Sequence, residues 1–121
     1  MNKAVTLKMN FEFRRVYSRG NYSAGRHMVL YSLANNLRIN RLGITASKKI
    51  GNSVSRNRVR RLIKESYRLQ GDTFKRGYDI VFVARIADKN TGLAEISREM
   101  GVLAGKLGLT DKEKPTCSEN P

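Results

Sequence analysis

The stretch KKIGNSVSRNRVRRLIKESYR, residues 48–68, decides the fold, because it places a turn and an amphipathic helix between two strand-like segments. Gly51-Asn52-Ser53 breaks the chain and supplies a helix cap, for which Asn52 is the preferred residue. The pattern predicts a helix from there to about Leu69, ended by Gly71. This helix is the starting point for both the fold and the function.

Turned at about 100° per residue, the helix has an apolar side and a basic side. The apolar side consists of Val59, Leu62, Ile63 and Tyr67, with Leu69 at its flank. The basic side consists of Asn57, Arg60, Arg61, Lys64 and Arg68. Glu65 can pair with Arg61 at i, i+4, but surface pairs contribute only about 0.3–0.5 kcal/mol. We therefore interpret the basic side as a binding surface for a polyanion, since arginine forks suit phosphate oxygens.

Strand patterns lie on both sides of this helix. Residues 41–47 alternate, with Leu42, Ile44 and Ala46 facing the core and a small, polar face opposite. Residues 28–34 read as another strand, and Asn35-Asn36 signals the turn between the two. Residues 78–86, YDIVFVARI, are apolar on both faces, as expected for a strand in the middle of a sheet. A basic helix embedded in a sheet favours structured RNA over a DNA groove as the ligand.

Two further helices are predicted near the ends of the chain. Asn10 can cap the first, with Glu12 in its first turn and Gly20 as its stop. Asn90 or Thr91 caps the last helix. Its predicted buried stripe is Leu93, Ile96, Met100, Leu103 and Leu107. We expect one domain over residues 1–109, followed by a polar, disordered tail over residues 110–121.

The net charge of +14 implies a polyanionic partner, either RNA, DNA or an anionic membrane surface. Residues 41–68 hold nine basic side chains and one acid, so the charge is concentrated around the helix. No apolar run reaches the roughly 18 residues of a membrane span, and the start lacks the apolar centre of a signal peptide. Cys117 stands alone in the tail. We expect a soluble, cytoplasmic protein with no membrane partner.

The segment SKKIGNSVSRNRVRRLIKESYR, with Arg56-Asn57-Arg58 at its centre, resembles the signature of the bacterial ribonuclease P protein subunit. The segments LKMNFEFRRVYSRG (7–20), HMVLYSL (27–33), RLGITASKKIGN (41–52) and GYDIVFVARI (77–86) resemble the same family in the same order. The resemblance covers roughly residues 5–108. It implies an α+β fold, a two-layer α-β sandwich of order αβββαβα. Its mixed sheet would contain a left-handed βαβ crossover, which is rare among crossovers.

The family resemblance also implies a function. The protein would bind a large catalytic RNA, and the complex would remove the 5′ leader from precursor tRNA. The RNA and Mg²⁺ would perform the chemistry, and no obligatory protein partner is expected. The residues agree with this division, because His27 has no acidic neighbour in sequence and no Cys/His cluster has metal-binding spacing. We assign no catalytic residue and no metal ligand to the polypeptide.

Two RNA-facing regions follow from the resemblance. Arg56, Asn57, Arg58, Arg61 and Lys64 match the motif that contacts the catalytic RNA, and Arg60 preserves its charge. Arg58 lies at the flank of the helical wheel, where it can support the helix as well as touch RNA. Neighbours on the basic side and at the helix N-terminus complete the predicted surface: Lys48, Lys49, Asn52, Ser53 and Arg68.

The second region is a cleft between the first helix and the sheet, which in the family holds the single-stranded leader. The matching positions are Phe13, Tyr17, Val29, Tyr31, Thr45, Ser47 and Lys49. Aromatic rings edged by positive charge suit single-stranded RNA, because stacking contributes about 1–3 kcal/mol per base and tolerates any base. Taken alone, Phe13 and Tyr17 at i, i+4 favour a core-packing helix, and it is the resemblance that favours the cleft.

Two other functions compete with this interpretation. A structural RNA-binding protein of the ribosomal type fits the composition equally well. A nuclease that needs no RNA subunit would require a pair of carboxylates in reach of each other, and the acids are scattered along the chain.

Overall fold

Helices and strands follow one another in the order βαβββαβα in the computed structural model, which describes residues 5–85 and 90–110. The strands are β1 (Val5–Thr6), β2 (Asn21–Ala24), β3 (Met28–Ala34), β4 (Arg41–Thr45) and β5 (Tyr78–Ala84). The helices are α1 (Asn10–Arg19), α2 (Ser53–Gln70) and α3 (Leu93–Lys106). Short 3-10 turns at Lys48–Ile50 and Gly71–Thr73 flank α2.

All five strands form one mixed sheet in the order β1-β4-β5-β3-β2. The central strand, β5, pairs parallel with β4 and antiparallel with β3. The edge strands β1 and β2 pair parallel with β4 and antiparallel with β3, respectively. The prediction of a central strand from residue 78 is confirmed. Ile86, its predicted end, lies outside the described residues.

The larger core lies between the sheet and helices α2 and α3. Leu30, Leu42 and Phe82 face it from three neighbouring strands and are almost completely buried. From α2, Val59, Ile63 and Tyr67 enter this core, as the helical wheel predicts. From α3, Ile96, Met100 and Leu103 enter it, while Leu93 and Leu107 are partly exposed. The two amphipathic faces therefore share one apolar layer against the sheet.

Helix α1 covers part of the opposite face of the sheet. Val16 is fully buried there beside Leu7 and Val81, and Phe13 and Tyr31 pack around them. Because β5 lies between two cores, its residues must be apolar on both sides, which explains the unbroken run IVFVA.

The predicted helix starts are correct for α2 and wrong for the other two helices. The side chain of Asn52 accepts a 2.9 Å hydrogen bond from the backbone N–H of Ser55, as expected of a cap. The cap of α1 is Met9, so Asn10 is the first helical residue. The cap of α3 is Gly92, after Asn90 and Thr91.

Carboxylates explain these shifted starts of α1 and α3. Glu12 accepts 3.0 Å hydrogen bonds from the backbone N–H groups of Lys8 and Met9. Glu95 accepts a 3.0 Å bond from the N–H of Gly92. A glutamate three positions into a helix satisfies the donor of whichever residue precedes the helix, so the cap itself needs no polar side chain.

The α+β class, the mixed sheet and the sequence of helices agree with the predicted fold. The two-residue β1 precedes the expected order αβββαβα, and β2 supplies the strand for which no residues were predicted. The parallel neighbours β4 and β5 are joined through α2, as a βαβ crossover requires. The tail from residue 111 lies outside the described residues, whereas Thr110 is buried.

Candidate RNA interface

The exposed face of α2 carries a row of cations, here called the basic ridge, formed by Arg60, Arg61, Lys64 and Arg68. All four are exposed, and Asn57 lies beside them. The buried residues Val59, Ile63 and Tyr67 fix the orientation of the helix, so the ridge must face away from the sheet. Within residues 5–85 and 90–110, no ion pair neutralises Arg60, Arg61 or Lys64.

Glu65 pairs with Arg68 and not with Arg61, which corrects the predicted i, i+4 pair. Arg68 donates two hydrogen bonds to the carboxylate, at 2.9 and 2.5 Å. These bonds lower the pKa of Glu65 and raise that of Arg68. Because Glu65 pairs with Arg68, the charges of Arg61 and Lys64 remain available for an external anion.

The N-terminus of α2 is already partly satisfied by its own residues. Asn52 caps the helix, and the Arg56 guanidinium lies 3.4 Å from both the carbonyl oxygen of Gly51 and the hydroxyl of Ser53. Lys48 and Lys49 are exposed in the preceding turn. Four of the predicted neighbours, Lys48, Lys49, Asn52 and Ser53, thus lie together at the N-terminal end of α2, whereas Arg68 lies near its C-terminal end.

Arg58 connects α2 to the rest of the fold. Its guanidinium donates a 2.6 Å hydrogen bond to the carbonyl oxygen of Thr91. The Thr91 hydroxyl lies 3.1 Å from Nε2 of His27, whose Nδ1 lies 2.8 Å from Glu99. The other Glu99 oxygen accepts backbone N–H bonds from His27 and Met28. His27 therefore has an acidic partner that its sequence neighbourhood did not reveal.

Three predicted cleft residues, Val29, Tyr31 and Thr45, lie on the α1 face of the sheet in two rows that cross the strands, whereas Ser47 and Lys49 lie in the turn after β4. One row runs through Gly43, Val81, Tyr31 and Tyr22. The next row runs through Thr45, Val83, Val29 and Ala24. Val29, Tyr31 and Thr45 are all partly exposed, so the strip is accessible beside α1.

The aromatic side chains of α1 lean over the first of these rows. The rings of Tyr17 and Tyr31 meet edge to face with centroids 5.0 Å apart, and the ring of Tyr22 lies 5.6 Å from that of Tyr31. Phe13 covers Gly43 so closely that a Cβ atom there would lie 2.5 Å from its ring. Phe13 is thus both a core residue and a wall of the strip, and Tyr17 is 38% exposed.

A cluster of charged residues that sequence reasoning missed fixes α1 to the sheet. Asp79 is buried and accepts hydrogen bonds from Arg41 at 2.7 and 2.8 Å and from Asn35 at 2.9 Å. Arg15 and Glu12 bring α1 into the cluster, because Arg15 contacts Asp79 and Glu12 contacts Arg41. The signal in the sequence was the one charge at the start of the otherwise apolar strand 78–84.

The electrostatics of this cluster favour the charged forms. Burial raises the pKa of Asp79, but the hydrogen bonds from Arg41 and Asn35 outweigh it, so the pKa lies below its ordinary value. Backbone hydrogen bonds from Met9 and Lys8 lower the pKa of Glu12. The hydrogen bond to Asp79 raises the pKa of Arg41. The wall of the cleft is therefore held by ion pairs at neutral pH.

The two predicted surfaces meet where β4 ends. Thr45 faces the α1 side of the sheet, Ala46 is buried in the core of α2 and α3, and the exposed turn from Ser47 leads into α2. Lys49, which is predicted for both surfaces, lies in this turn.

Two properties of the described ranges bear on chemistry and location. In residues 5–85 and 90–110, no three His, Cys, Asp or Glu side chains are grouped to hold a metal ion. Of the helices in the same ranges, none combines the length and hydrophobicity needed to cross a membrane.

Comparison with known proteins shows the family. The family model for ribonuclease P matches residues 1–108. The ribonuclease P protein component of Natranaerobius thermophilus is 43% identical over 112 residues, covering 93% of this chain and 97% of the relative. That of Clostridium kluyveri is 48% identical over 105 residues, covering 85% and 94%.

A solved structure agrees with the sequence comparisons. The RNase P protein of Staphylococcus aureus superposes with a TM-score of 0.77 at 32% identity, covering 90% of this chain and all of that one. The sequence matches and the structural match thus point to the same family over nearly the whole chain. This chain belongs to the ribonuclease P protein family.

Proposed function

We propose that this protein binds the catalytic RNA of ribonuclease P through the basic ridge and the 5′ leader of precursor tRNA through the cleft beside α1. The observation that carries the proposal is the family match over residues 1–108. The proposal includes a cytoplasmic location, where precursor tRNA would be processed.

The ridge suits a folded RNA for electrostatic reasons. Arg60, Arg61 and Lys64 project from one rigid helix, so their spacing is set before the RNA arrives. Counterions are released from each phosphate that these side chains bind. The affinity for RNA is therefore high and depends on the salt concentration. Arg58 supports this surface from beneath by holding α2 to the segment before α3.

The cleft suits a single strand for a different reason. Tyr17, Tyr22 and Tyr31 present ring edges and faces beside the partly exposed residues Val29 and Thr45. Such a surface can stack bases without reading their identity, because every base has a π-face. This tolerance fits a leader whose sequence differs from one precursor to the next.

In this proposal the polypeptide positions RNA and the RNA subunit performs the cleavage. Mg²⁺ would be held mainly by the RNA and the substrate, and would activate water and stabilise the leaving oxygen. The protein contributes by bringing positive charge near the backbone and by holding the leader in one place. No side chain of the protein is given a role in proton transfer.

The experiment that tests this function is reconstitution. The protein is mixed with a bacterial ribonuclease P RNA and precursor tRNA at low Mg²⁺, and release of the 5′ leader is measured. We expect the protein to stimulate cleavage severalfold over RNA alone, and a lack of stimulation would contradict the proposal. Tight binding of RNA without stimulation would instead favour a structural RNA-binding protein, and cleavage by the protein alone would favour a nuclease.

A further inference from the structure

A groove of about 830 Å³ opens beside the basic ridge, between α2 and the edge of the sheet where Thr6 of β1 pairs with Leu42 of β4. Its volume is within the range of sites that bind small organic molecules. Arg61, Lys64 and Arg68 line one side, so three residues of the ridge also belong to the groove. It lies on the α2 side of the sheet, away from the leader cleft.

The groove has an apolar floor. Tyr67 and Leu42 form part of it and are nearly buried, whereas Ile39 at its lip is 45% exposed. The ring of Tyr67 is held by edge-to-face contacts with Phe74 and Phe82, with centroids 5.2 and 6.2 Å away. Packing against these two rings therefore fixes the orientation of the Tyr67 side chain in the floor.

A fixed amide lies within the same groove. Asn40 donates a 3.0 Å hydrogen bond to the carbonyl oxygen of Lys75 and accepts a 2.9 Å bond from the N–H of Tyr78. These two bonds hold the side chain between β4 and β5. The groove therefore has a defined polar element above its apolar floor.

The rim of the groove is strongly positive. Arg38 and Arg76 face the three ridge cations from the other side. The acids at the rim are Glu65, which pairs with Arg68, and Asp72. The rim has five cations and two acids, so it favours a ligand with an anionic end. The apolar floor favours a ligand whose other end is flat and apolar.

A nucleotide has both of these properties. We propose that the groove receives one unstacked nucleotide of the RNA bound along the basic ridge, with its base against Ile39 and its phosphate beside Arg61 and Lys64. RNA-binding proteins commonly recognise bases that are splayed out of a helix. Because the ridge and the groove share their cations, the nucleotide stays joined to backbone already bound on the ridge. This inference rests on the proposed binding of the catalytic RNA.

The first test is a pair of substitutions in one loop. Ile39→Ser removes the apolar lip, and Leu37→Ser, at a residue equally 45% exposed that does not line the groove, is the matched control. We expect Ile39→Ser to weaken binding of the catalytic RNA roughly five- to tenfold, because the apolar surface that Ile39 and the base would bury together is lost. The salt dependence of binding should stay unchanged, since no charge is removed. Leu37→Ser should bind as the wild type does.

The second test locates the contact directly and does not depend on how Ile39→Ser folds. Position 39 or position 37 is replaced by the photoreactive p-benzoylphenylalanine, and each variant is irradiated in complex with the catalytic RNA. Position 39 should cross-link to one nucleotide, and position 37 should give little product.

The outcomes separate this inference from the proposed function. The inference that a nucleotide binds in the groove would be contradicted if Ile39→Ser bound the RNA with wild-type affinity or if both serine variants lost the same affinity. It would also be contradicted if the cross-links from position 39 were spread over many nucleotides. If the wild-type protein stimulates leader cleavage while the groove tests fail, only the groove inference falls. If the wild-type protein does not stimulate leader cleavage, both the proposed function and the groove inference are contradicted.

Discussion

At the scale of single residues, the arginines of α2 have two different duties. Arg58 is partly buried and bonds the carbonyl oxygen of Thr91, whereas Arg61 is exposed on the basic ridge. The sequence predicts the exposed members well, because the helical period separates them from the core. It leaves Arg58 open, since its partner is 33 residues away and belongs to no recognisable pattern.

Arg58→Ala should lower the free energy of unfolding by about 1.5–2 kcal/mol, the lower part of the range for hydrogen bonds to charged groups, because the site is partly exposed. Urea unfolding followed by circular dichroism measures the change. Arg61→Ala is the control and should stay within about 0.5 kcal/mol of the wild type. Equal stability of the two variants would show that Arg58 does not brace the helix.

Arg61→Ala and Lys64→Ala should each weaken binding of the catalytic RNA and reduce its salt dependence. The slope of log K against log salt should become shallower by about 0.7–0.9 for each phosphate that the variant no longer binds. Filter binding over a range of KCl concentrations gives this slope. Arg98→Ala, at an exposed position on α3, should keep the wild-type slope. An unchanged slope in both ridge variants would mean that the RNA binds elsewhere.

Gly43→Ala should weaken leader binding while the fold is retained. The new methyl group would lie 2.5 Å from the ring of Phe13 and must push that side chain off the sheet. Binding of a short single-stranded leader RNA, measured by fluorescence anisotropy, checks this. Gly101→Ala in α3 is a matched control, since the nearest atom there is 3.4 Å away and alanine favours a helix. Wild-type leader affinity of Gly43→Ala would place the leader away from Phe13.

At the scale of elements, periodicity predicts what a helix buries better than where it begins. The apolar stripes of α2 and α3 and the central position of β5 follow directly from the sequence pattern. The starts of α1 and α3 do not, because glutamates in their first turns bond the preceding backbone and remove the need for a polar cap. Strand β2 has no apolar alternation to reveal it, since it is an edge strand with mostly exposed residues.

The attachment of α1 should be sensitive to acid. The pKa values of Asp79 and Glu12 lie below their ordinary values in the folded protein. Their stabilising contribution is therefore complete above the unfolded-state values near 4 and is lost as the pH falls through the lower folded-state values. Thermal unfolding between pH 7 and pH 3 should show stability decreasing below about pH 5.

Asp79→Asn should lower the free energy of unfolding by about 2–3 kcal/mol at neutral pH. This is less than the 3–5 kcal/mol of a fully buried pair, because Arg41 keeps Glu12 as a second partner. The variant should also lose less stability than the wild type when the pH is lowered from 5 to 3. Identical pH profiles would show that Asp79 is not the titrating anchor.

At the scale of the whole molecule, charge and the ordered motifs predict an RNA-binding member of this family. The charge and the motifs indicate which residues belong to the RNA-binding surface. They cannot show that the ridge and the cleft lie on opposite faces of the sheet and meet at the turn beginning with Ser47, because this depends on which face each helix covers. The groove beside the ridge is likewise formed by residues from 6 to 76 and has no local signature.

A net charge of +14 should make the folded state respond to small anions before any RNA is present. Phosphate or sulfate that binds the folded surface should raise the melting temperature, and binding at about 100 times the dissociation constant would add about 2.7 kcal/mol. Differential scanning calorimetry with sulfate, against chloride at equal ionic strength, measures this. The same gain in both salts would indicate general screening and no specific anion sites.

The central position of β5 also has a consequence for folding during synthesis on the ribosome. Without residues 78–84, the pairs β1-β4 and β2-β3 share no hydrogen bonds, so the sheet exists only as two separate ribbons. Isolated two-stranded ribbons are marginal in water. The sheet of a nascent chain therefore cannot close before Ala84, the last residue of β5, has been synthesised. The basic segment that forms α2 precedes β5 in the chain, so it leaves the ribosome and passes ribosomal RNA before the sheet can close.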